Sequence, residues 1–308
     1  MHIGLIGLGK MGANMRSRLR EAGIEVTGYD RNPEVSDVDS LSGLVAALSA
    51  PRLVWVMVPA GAPTTSTIGD LAELLEPGDL VIDGGNTKYT EDAVHAATLG
   101  EQGVHFLDCG VSGGIWGLEN GYGLMVGGEG ALVERAMPVF DALRPPGPRE
   151  EGFVHAGAVG AGHYAKMVHN GIEYGLMQAY AEGYDLLEAK DIVTDVHGCF
   201  KAWSRGTVVR SWLLDLFIKA LETDPELVKI SGYVEDSGEG RWTVEEGIAN
   251  AVPMPVISAA LFARFASRKP DSAAMKAVAA LRQQFGGHAV KAAGGATAGP
   301  SSGSGDTR

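Results

Sequence analysis

Continuous apolar runs recur along the first half of the chain, each closed by glycine, proline or an acidic residue. Residues 3–6 lead into Gly7, 53–58 into Pro59-Ala60-Gly61, and 80–83 into Gly84-Gly85-Asn86. Residues 104–107 lead into Asp108, and 124–126 and 153–155 look like late, shorter strands. Runs without alternation mark strands buried on both faces, and helical spacing such as that of 13–22 separates them. From about Ala161 the strand pattern stops. Helix-period segments take over at 163–189, 193–201, 211–221, 244–251, 255–268 and 272–284. The pattern predicts an α/β fold: a doubly wound parallel sheet over 1–160, then an all-helical domain over 161–291. From 292 to 308 the chain is rich in glycine, alanine, serine and threonine, cannot bury a core, and is expected to be disordered.

The first strand and helix enclose Gly7-Leu8-Gly9-Lys10-Met11-Gly12. The glycines have G-x-G-x-x-G spacing. Gly7 permits the turn, Gly9 lets backbone approach a pyrophosphate, and Gly12 lets helix and strand pack closely. The helix start then offers amides to the phosphates. The second strand, 25–29, ends in Asp30, a carboxylate suited to ribose hydroxyls and unsuited to a 2′-phosphate, with Arg31 beside it. This Rossmann-type pattern predicts NAD as cofactor over NADP. Leu8 and Lys10 of the loop, Met11, and Val58 at a strand end are counted among the cofactor positions. Asn86 and Ser112-Gly113-Gly114 fall at strand ends, where such sheets bind ligands, although glycine pairs also make plain turns.

Lys166, His169, Asn170 and Glu173 are spaced i, i+3, i+4 and i+7 and share one helix face. Spacing alone also fits a solvated face. Flanked by Ala165, Met167, Val168 and Ile172, however, the stripe gathers an amine, imidazole, amide and carboxylate against an apolar wall. A lysine that loses hydration there has a lowered pKa and becomes a general base.

Composition narrows the classes. The 308 residues carry a net charge of −13 and 45% hydrophobic content, which disfavours nucleic-acid and anionic-membrane partners and allows a substantial core. No stretch reads as a membrane span or signal peptide, and the two cysteines, Cys109 and Cys199, lie far apart without metal-site neighbours. A cytoplasmic enzyme with reduced thiols and no metal is expected.

Ordered motifs add a specific likeness: G-L-G-K-M-G at 7–12, D-G-G-N at 83–86, G-V-S-G-G at 110–114 and K-M-V-H-N-G-I-E-Y at 166–174. G-R-W-T at 240–243, F-A-R at 262–264 and R-Q-Q-F-G-G-H at 282–288 follow. On these residues the chain resembles the decarboxylating 6-phosphogluconate dehydrogenases, in a short, NAD-preferring form, up to about His288. The wider β-hydroxyacid dehydrogenases share the glycine loop, the S-G-G turn and the lysine.

The resemblance implies oxidation of 6-phosphogluconate to ribulose 5-phosphate and carbon dioxide, without a metal. In it Lys166 takes the 3-hydroxyl proton and later supports the enolate oxygen, and Glu173 protonates the first carbon. His169 and Asn170 hold substrate hydroxyls, and Ser112, Gly113 and Gly114 hold the carboxylate end. Asn86 bridges cofactor and substrate, and Met11 lines the nicotinamide pocket. Tyr174, Arg241, Arg264, Arg282 and His288 form the phosphate end, with Arg241 where lysine is more usual and an acidic D-S-G-E-G segment before it. A homodimer or homotetramer is implied, with the C-terminal segment completing the neighbouring active site. The alternatives are a non-decarboxylating enzyme for a small 3-hydroxy acid and a non-catalytic dinucleotide-binding sensor.

Overall fold

A computed structural model gives the fold and describes residues 1–286 and 289–291; His288 and the stretch from 292, expected to be disordered, lie outside the described residues. Contacts divide the chain into two compact units, Met1–Tyr174 with Gly238–Met254, and Gly175–Ser237 with the chain from Pro255 onward.

The first unit holds one seven-stranded sheet: β1 His2–Ile6, β2 Glu25–Tyr29, β3 Leu53–Val56, β4 Leu80–Asp83, β5 His105–Ser112, β6 Gly123–Gly127 and β7 Phe153–Gly157. Their spatial order is β2-β1-β3-β4-β5-β6-β7. The first five strands pair in parallel, as the apolar runs predict. The expectation of a parallel sheet is corrected at β6, which runs antiparallel to β5, while β7 is parallel to β6. Apolar patterning reports burial and not direction. Only residues 113–122 join β5 to β6, fewer than the crossover of about a dozen or more that a parallel neighbour needs.

Helices cover both faces of this sheet: α1 Lys10–Glu21, α2 Leu41–Ala47, α3 Ala62–Leu74, α4 Tyr89–Gly100, α5 Gly117–Asn120 and α6 Gly130–Leu143. Alternate strand residues feed two cores. Ile3, Leu5, Trp55 and Ile82 pack with Met15 and Leu19 of α1 and Val133 and Phe140 of α6. Ile6, Val54, Val56 and Val81 pack with Leu44 of α2, Ile68 and Leu71 of α3 and Leu99 of α4. Both strand faces are therefore apolar, which is why the sequence shows runs rather than alternation.

The remaining helices are α7 Ala161–Glu188, α8 Val196–Trp203, α9 Trp212–Thr223, α10 Glu239–Ala249, α11 Pro255–Ser267 and α12 Ala273–Gly286. The first half of α7 and all of α10 belong to the first unit. In the second, Phe200, Leu214, Ile218 and Leu221 form a buried core edged by Tyr184 and Phe217. The Asp195 and Ser211 side chains cap α8 and α9 by accepting from the amides of Gly198 and Leu214. Periodicity placed the start of α10 at 244; it begins at Glu239, behind Gly238 at φ +94°. Among the described residues no helix is long and apolar enough to cross a membrane.

Candidate active site

The strand order reverses between β1 and β3, and a cavity of about 740 Å³ opens beyond their carboxyl ends. Gly7, Gly9, Lys10, Met11 and Gly12 line one side. Asp30, Arg31, Val58 and Asn86 line it too, and so does Asp70 of α3, which the sequence reading did not single out. Leu8 does not line it: its side chain is buried in the core, and its amide donates to the Asp30 carboxylate at 2.6 Å. Asn32 N–H donates to the other Asp30 oxygen at 2.9 Å, so the carboxylate is held in place.

The loop fits a dinucleotide. A Cβ on Gly12 would stand 1.9 Å from the Gly7 carbonyl oxygen, so no side chain fits where helix meets strand. At Gly9 nothing lies within 4 Å of such a Cβ, leaving the backbone open to a ligand. No side chain caps α1, so its first amides remain available to an anion.

The K-x-x-H-N-x-x-E stripe lies on α7, and β5 comes up against it. A Cβ on Gly110 would meet Lys166 Cβ at 2.4 Å and the Gly162 carbonyl at 2.7 Å. This close approach brings Lys166 beside the strand that ends in Ser112, with Gly113 and Gly114 turning at φ +141° and +54°. Lys166 Nζ donates to Asn170 Oδ1 at 2.7 Å, and His169 Nδ1 lies 3.0 Å from the same oxygen. His169 Nδ1 is 3.9 Å from Glu173, whose side chain is 37% exposed. Burial draws the Lys166 ammonium below its usual pKa, against the pull of Glu239 and Glu173. Met167 is buried as the sequence implied, whereas Ile172 is exposed in this chain.

α10 packs on the same stretch of α7. Thr243 Oγ1 donates to the carbonyls of Met167 and Glu239, both at 2.8 Å. A Cβ on Gly171 would stand 2.6 Å from the Thr243 methyl, and one on Gly240 2.4 Å from the buried Tyr174 ring. Tyr174 therefore adjoins the start of α10, where Arg241 is exposed.

Beneath these groups lie buried carboxylates that sequence reading left unassigned. Asp83, at the end of β4, and Asp108, midway along β5, are register partners and are fully buried. Asp83 accepts from Gly85 N–H at 2.9 Å and Thr87 Oγ1 at 2.7 Å, which orders the loop carrying Asn86. Asp108 accepts from the amides of Gly160 at 2.7 Å and His163 at 2.9 Å, capping α7 one turn before Lys166. His163 Nδ1 lies 2.9 Å from Asp92 of α4. Burial opposes charge on this imidazole, but the Asp92 hydrogen bond prevails and holds it at about 9. Glu239 is 2% exposed. Burial pushes its carboxyl up to about 7, against Lys166, His163 and a hydrogen bond from Asn86. An acidic residue closing an apolar run was the available signal for Asp83 and Asp108; nothing local marked Glu239.

The other expected phosphate positions belong to the second unit. Arg264 Nη1 donates to the Glu235 carbonyl at 2.9 Å. Arg282 lies exposed on α12, and His288 is outside the described residues.

Known proteins match along nearly the whole chain. The family model for the NAD binding domain of 6-phosphogluconate dehydrogenase matches residues 2–145, and that for the 6-phosphogluconate dehydrogenase C-terminal domain matches 162–294. An NAD(+)-dependent, decarboxylating 6-phosphogluconate dehydrogenase of Haloferax volcanii is 40% identical over 300 residues, 94% of this chain and 98% of that one. A decarboxylating 6-phosphogluconate dehydrogenase of Synechococcus elongatus is 38% identical over 287 residues, 86% of this chain and 61% of its own length. The solved 6-phosphogluconate dehydrogenase of Plasmodium falciparum superposes with a TM-score of 0.79 at 27% identity, covering 93% of this chain and 65% of that one. The glycine-loop cavity, the α7 stripe and these matches agree: the chain belongs to the 6-phosphogluconate dehydrogenase family.

Proposed function

We propose that the chain catalyses oxidative decarboxylation of 6-phosphogluconate to ribulose 5-phosphate and carbon dioxide, with NAD as oxidant. The observation that carries this reading is Lys166, half-buried on α7, pressed against Gly110 and coupled through Glu239 to Asn86 of the cofactor cavity. A poised amine thus stands beside the place where a dinucleotide fits.

NAD, when bound by the glycine loop, Asp30 and the α1 amides, supplies the hydride acceptor. Lys166, as the free amine, takes the proton from the 3-hydroxyl as the C3–H bond is given up, leaving a 3-keto acid. The Lys166 ammonium then donates to the keto oxygen. The bond to the carboxylate breaks, carbon dioxide leaves, and its electron pair becomes an enolate held by that ammonium. Lys166 returns the proton to this oxygen, giving an enediol; Glu173 then delivers a proton to the carbon that lost the carboxylate, C1 of the product, as the enediol O–H proton passes back to Lys166 and the ketone forms. Asn170, bonded to Lys166, and His169 face the substrate hydroxyls. Ser112, Gly113 and Gly114 take the carboxylate end, and Asn86 stands between cofactor and substrate. Tyr174 and Arg241 form the phosphate end within this unit; Arg282 and His288 of the terminal segment complete it from a partner chain, and Arg264 is a further candidate. Arginine's planar fork suits a phosphate dianion.

Two carboxylates, Asp30 and Asp70, line the cavity and repel a 2′-phosphate, which favours NAD over NADP. The exposed Trp212, Phe262, Met275 and Leu281 of the second unit support a homodimer or an even higher oligomer. Light scattering that finds a fully active monomer refutes the shared site.

The deciding experiment mixes purified protein with 6-phosphogluconate and NAD or NADP, and follows nicotinamide absorbance with carbon dioxide release. Matched reduction and release, faster with NAD, is the expected result. Reduction of a small 3-hydroxy acid without carbon dioxide, and none of 6-phosphogluconate, overturns it.

A further inference from the structure

We propose that Glu239 is a positioning residue of this reaction: buried at the first turn of α10, where that helix docks on α7, its carboxyl supplies the field in which Lys166 gains and loses its proton. The inference deepens the reading above and rests on it for the identity of the reaction.

Glu239 is 2% exposed, yet no step of the chemistry assigned to Lys166 and Glu173 uses it. A carboxyl is seldom buried without a partner, because desolvation of the charged form is costly. Its partners are the reactive groups themselves. Lys166, His163 and Glu173 face it from α7, and Asn86 faces it from the loop after β4. Around Lys166 the charged groups are Glu239 and Glu173, with Asn170 as hydrogen-bond acceptor.

The position is fixed. Thr243 Oγ1 bonds both the Glu239 carbonyl and the Met167 carbonyl beside Lys166, each at 2.8 Å. Gly171 and Gly240 bring the two helices too close for any side chain at either point. Glu239 also stands in the acidic D-S-G-E-G segment noted in the sequence, and its burial gives that acidity a purpose.

The chemistry asks two things of one lysine. It must be a free amine to take the hydroxyl proton, and an ammonium to support the enolate. Burial alone favours the first state at the expense of the second. A carboxylate behind the amine opposes burial and restores basicity, without contacting substrate.

The test compares wild type with Glu239→Gln, which keeps the size and polarity of the side chain but removes the charge, and Glu239→Asp, which keeps the charge. The Lys166 amine is titrated in the ligand-free protein by its labelling with fluorodinitrobenzene, read from the mass of its peptide. In E239Q the pH of half-reactivity falls by about one unit, and in E239D it stays near wild type. Asn86→Ala, which removes a polar neighbour favouring the ionised carboxyl, moves it the same way by less. It decides the matter if E239Q does not fold. The acid limb of the kcat/KM profile moves with the labelling, and plateau kcat in E239Q falls by about tenfold. A labelling profile unchanged in E239Q and N86A overturns the proposal. Labelling needs no turnover, so absence of 6-phosphogluconate oxidation in the wild type refutes the reaction and leaves the Glu239–Lys166 coupling decided on its own.

Discussion

Adding one methyl group at Gly110 tests whether the strand fixes the base. In Gly110→Ala the new Cβ would stand 2.4 Å from Lys166 Cβ and 2.7 Å from the Gly162 carbonyl oxygen. Carbon atoms sit comfortably at about 3.5–4.0 Å, so α7 must retreat from β5 by roughly 1 Å or more. Overpacking of this kind costs about 1–3 kcal/mol, which a domain of typical stability, about 5–15 kcal/mol, survives. Catalysis is less forgiving, since a shift of about 1 Å in a reacting group lowers the rate by about 100-fold. The glycine loop, Asp30 and Val58 lie on other strands, so NAD affinity holds. Three measurements on one variant are needed: melting temperature, NAD binding by fluorescence, and kcat on 6-phosphogluconate. The expected pattern is a modest fall in melting temperature, unchanged NAD binding, and kcat down by about two orders of magnitude. A folded variant that keeps wild-type kcat shows that Lys166 is not positioned by β5, and the reasoning fails.

Lys166→Met abolishes turnover and keeps NAD binding, while Glu173→Gln slows ketose formation more than it weakens substrate binding; a sensor without catalysis is indifferent to both, by stopped-flow absorbance and calorimetry. Asp30→Ala lowers the ratio of kcat/KM for NAD over NADP by about tenfold or more, and an unchanged ratio rejects the assigned role of its carboxylate. His163 is raised from 6.5 to about 9, so its pairing with Asp92 stabilises fully below its unfolded pKa and is lost as pH rises through about 9. The melting-temperature gap between wild type and His163→Gln is therefore widest below pH 6.5, narrows above it and closes past about pH 9; a gap that widens in alkali contradicts the charged imidazole.

Much of the first unit could be read from the sequence because burial and chirality leave few choices. β2 and β4 begin and end where the sequence places strands, since Gly, Pro and Asp around their ends stop pairing by local chemistry. The direction of β6 was not legible, because it depends on the length of a connection and not on the strand's residues. The start of α10 was missed for a related reason: D-S-G-E-G has no apolar period, and the helix begins there because Thr243 and Gly240 dock onto α7. The stripe on α7 was legible since i, i+3, i+4 spacing is local. Glu239 was not, for its relation to Lys166 exists only once the two helices pack. Asp83 and Asp108 lie between these cases. Each is a polar terminus on an apolar run, but their shared level on the sheet emerges only from register.

That shared level acts as a gauge. Asp83 arranges the loop of Asn86, and Asp108 arranges the helix of Lys166. The offset between cofactor-side amide and catalytic amine is thus referred to one inter-strand step, about 4.8 Å in any sheet. Such a datum is indifferent to the lengths of the surface connections around it. Residues inserted between α4 and β5, or between β6 and α6, leave it unmoved, so loops there are free to diverge while the dimension on which the chemistry depends is copied unchanged.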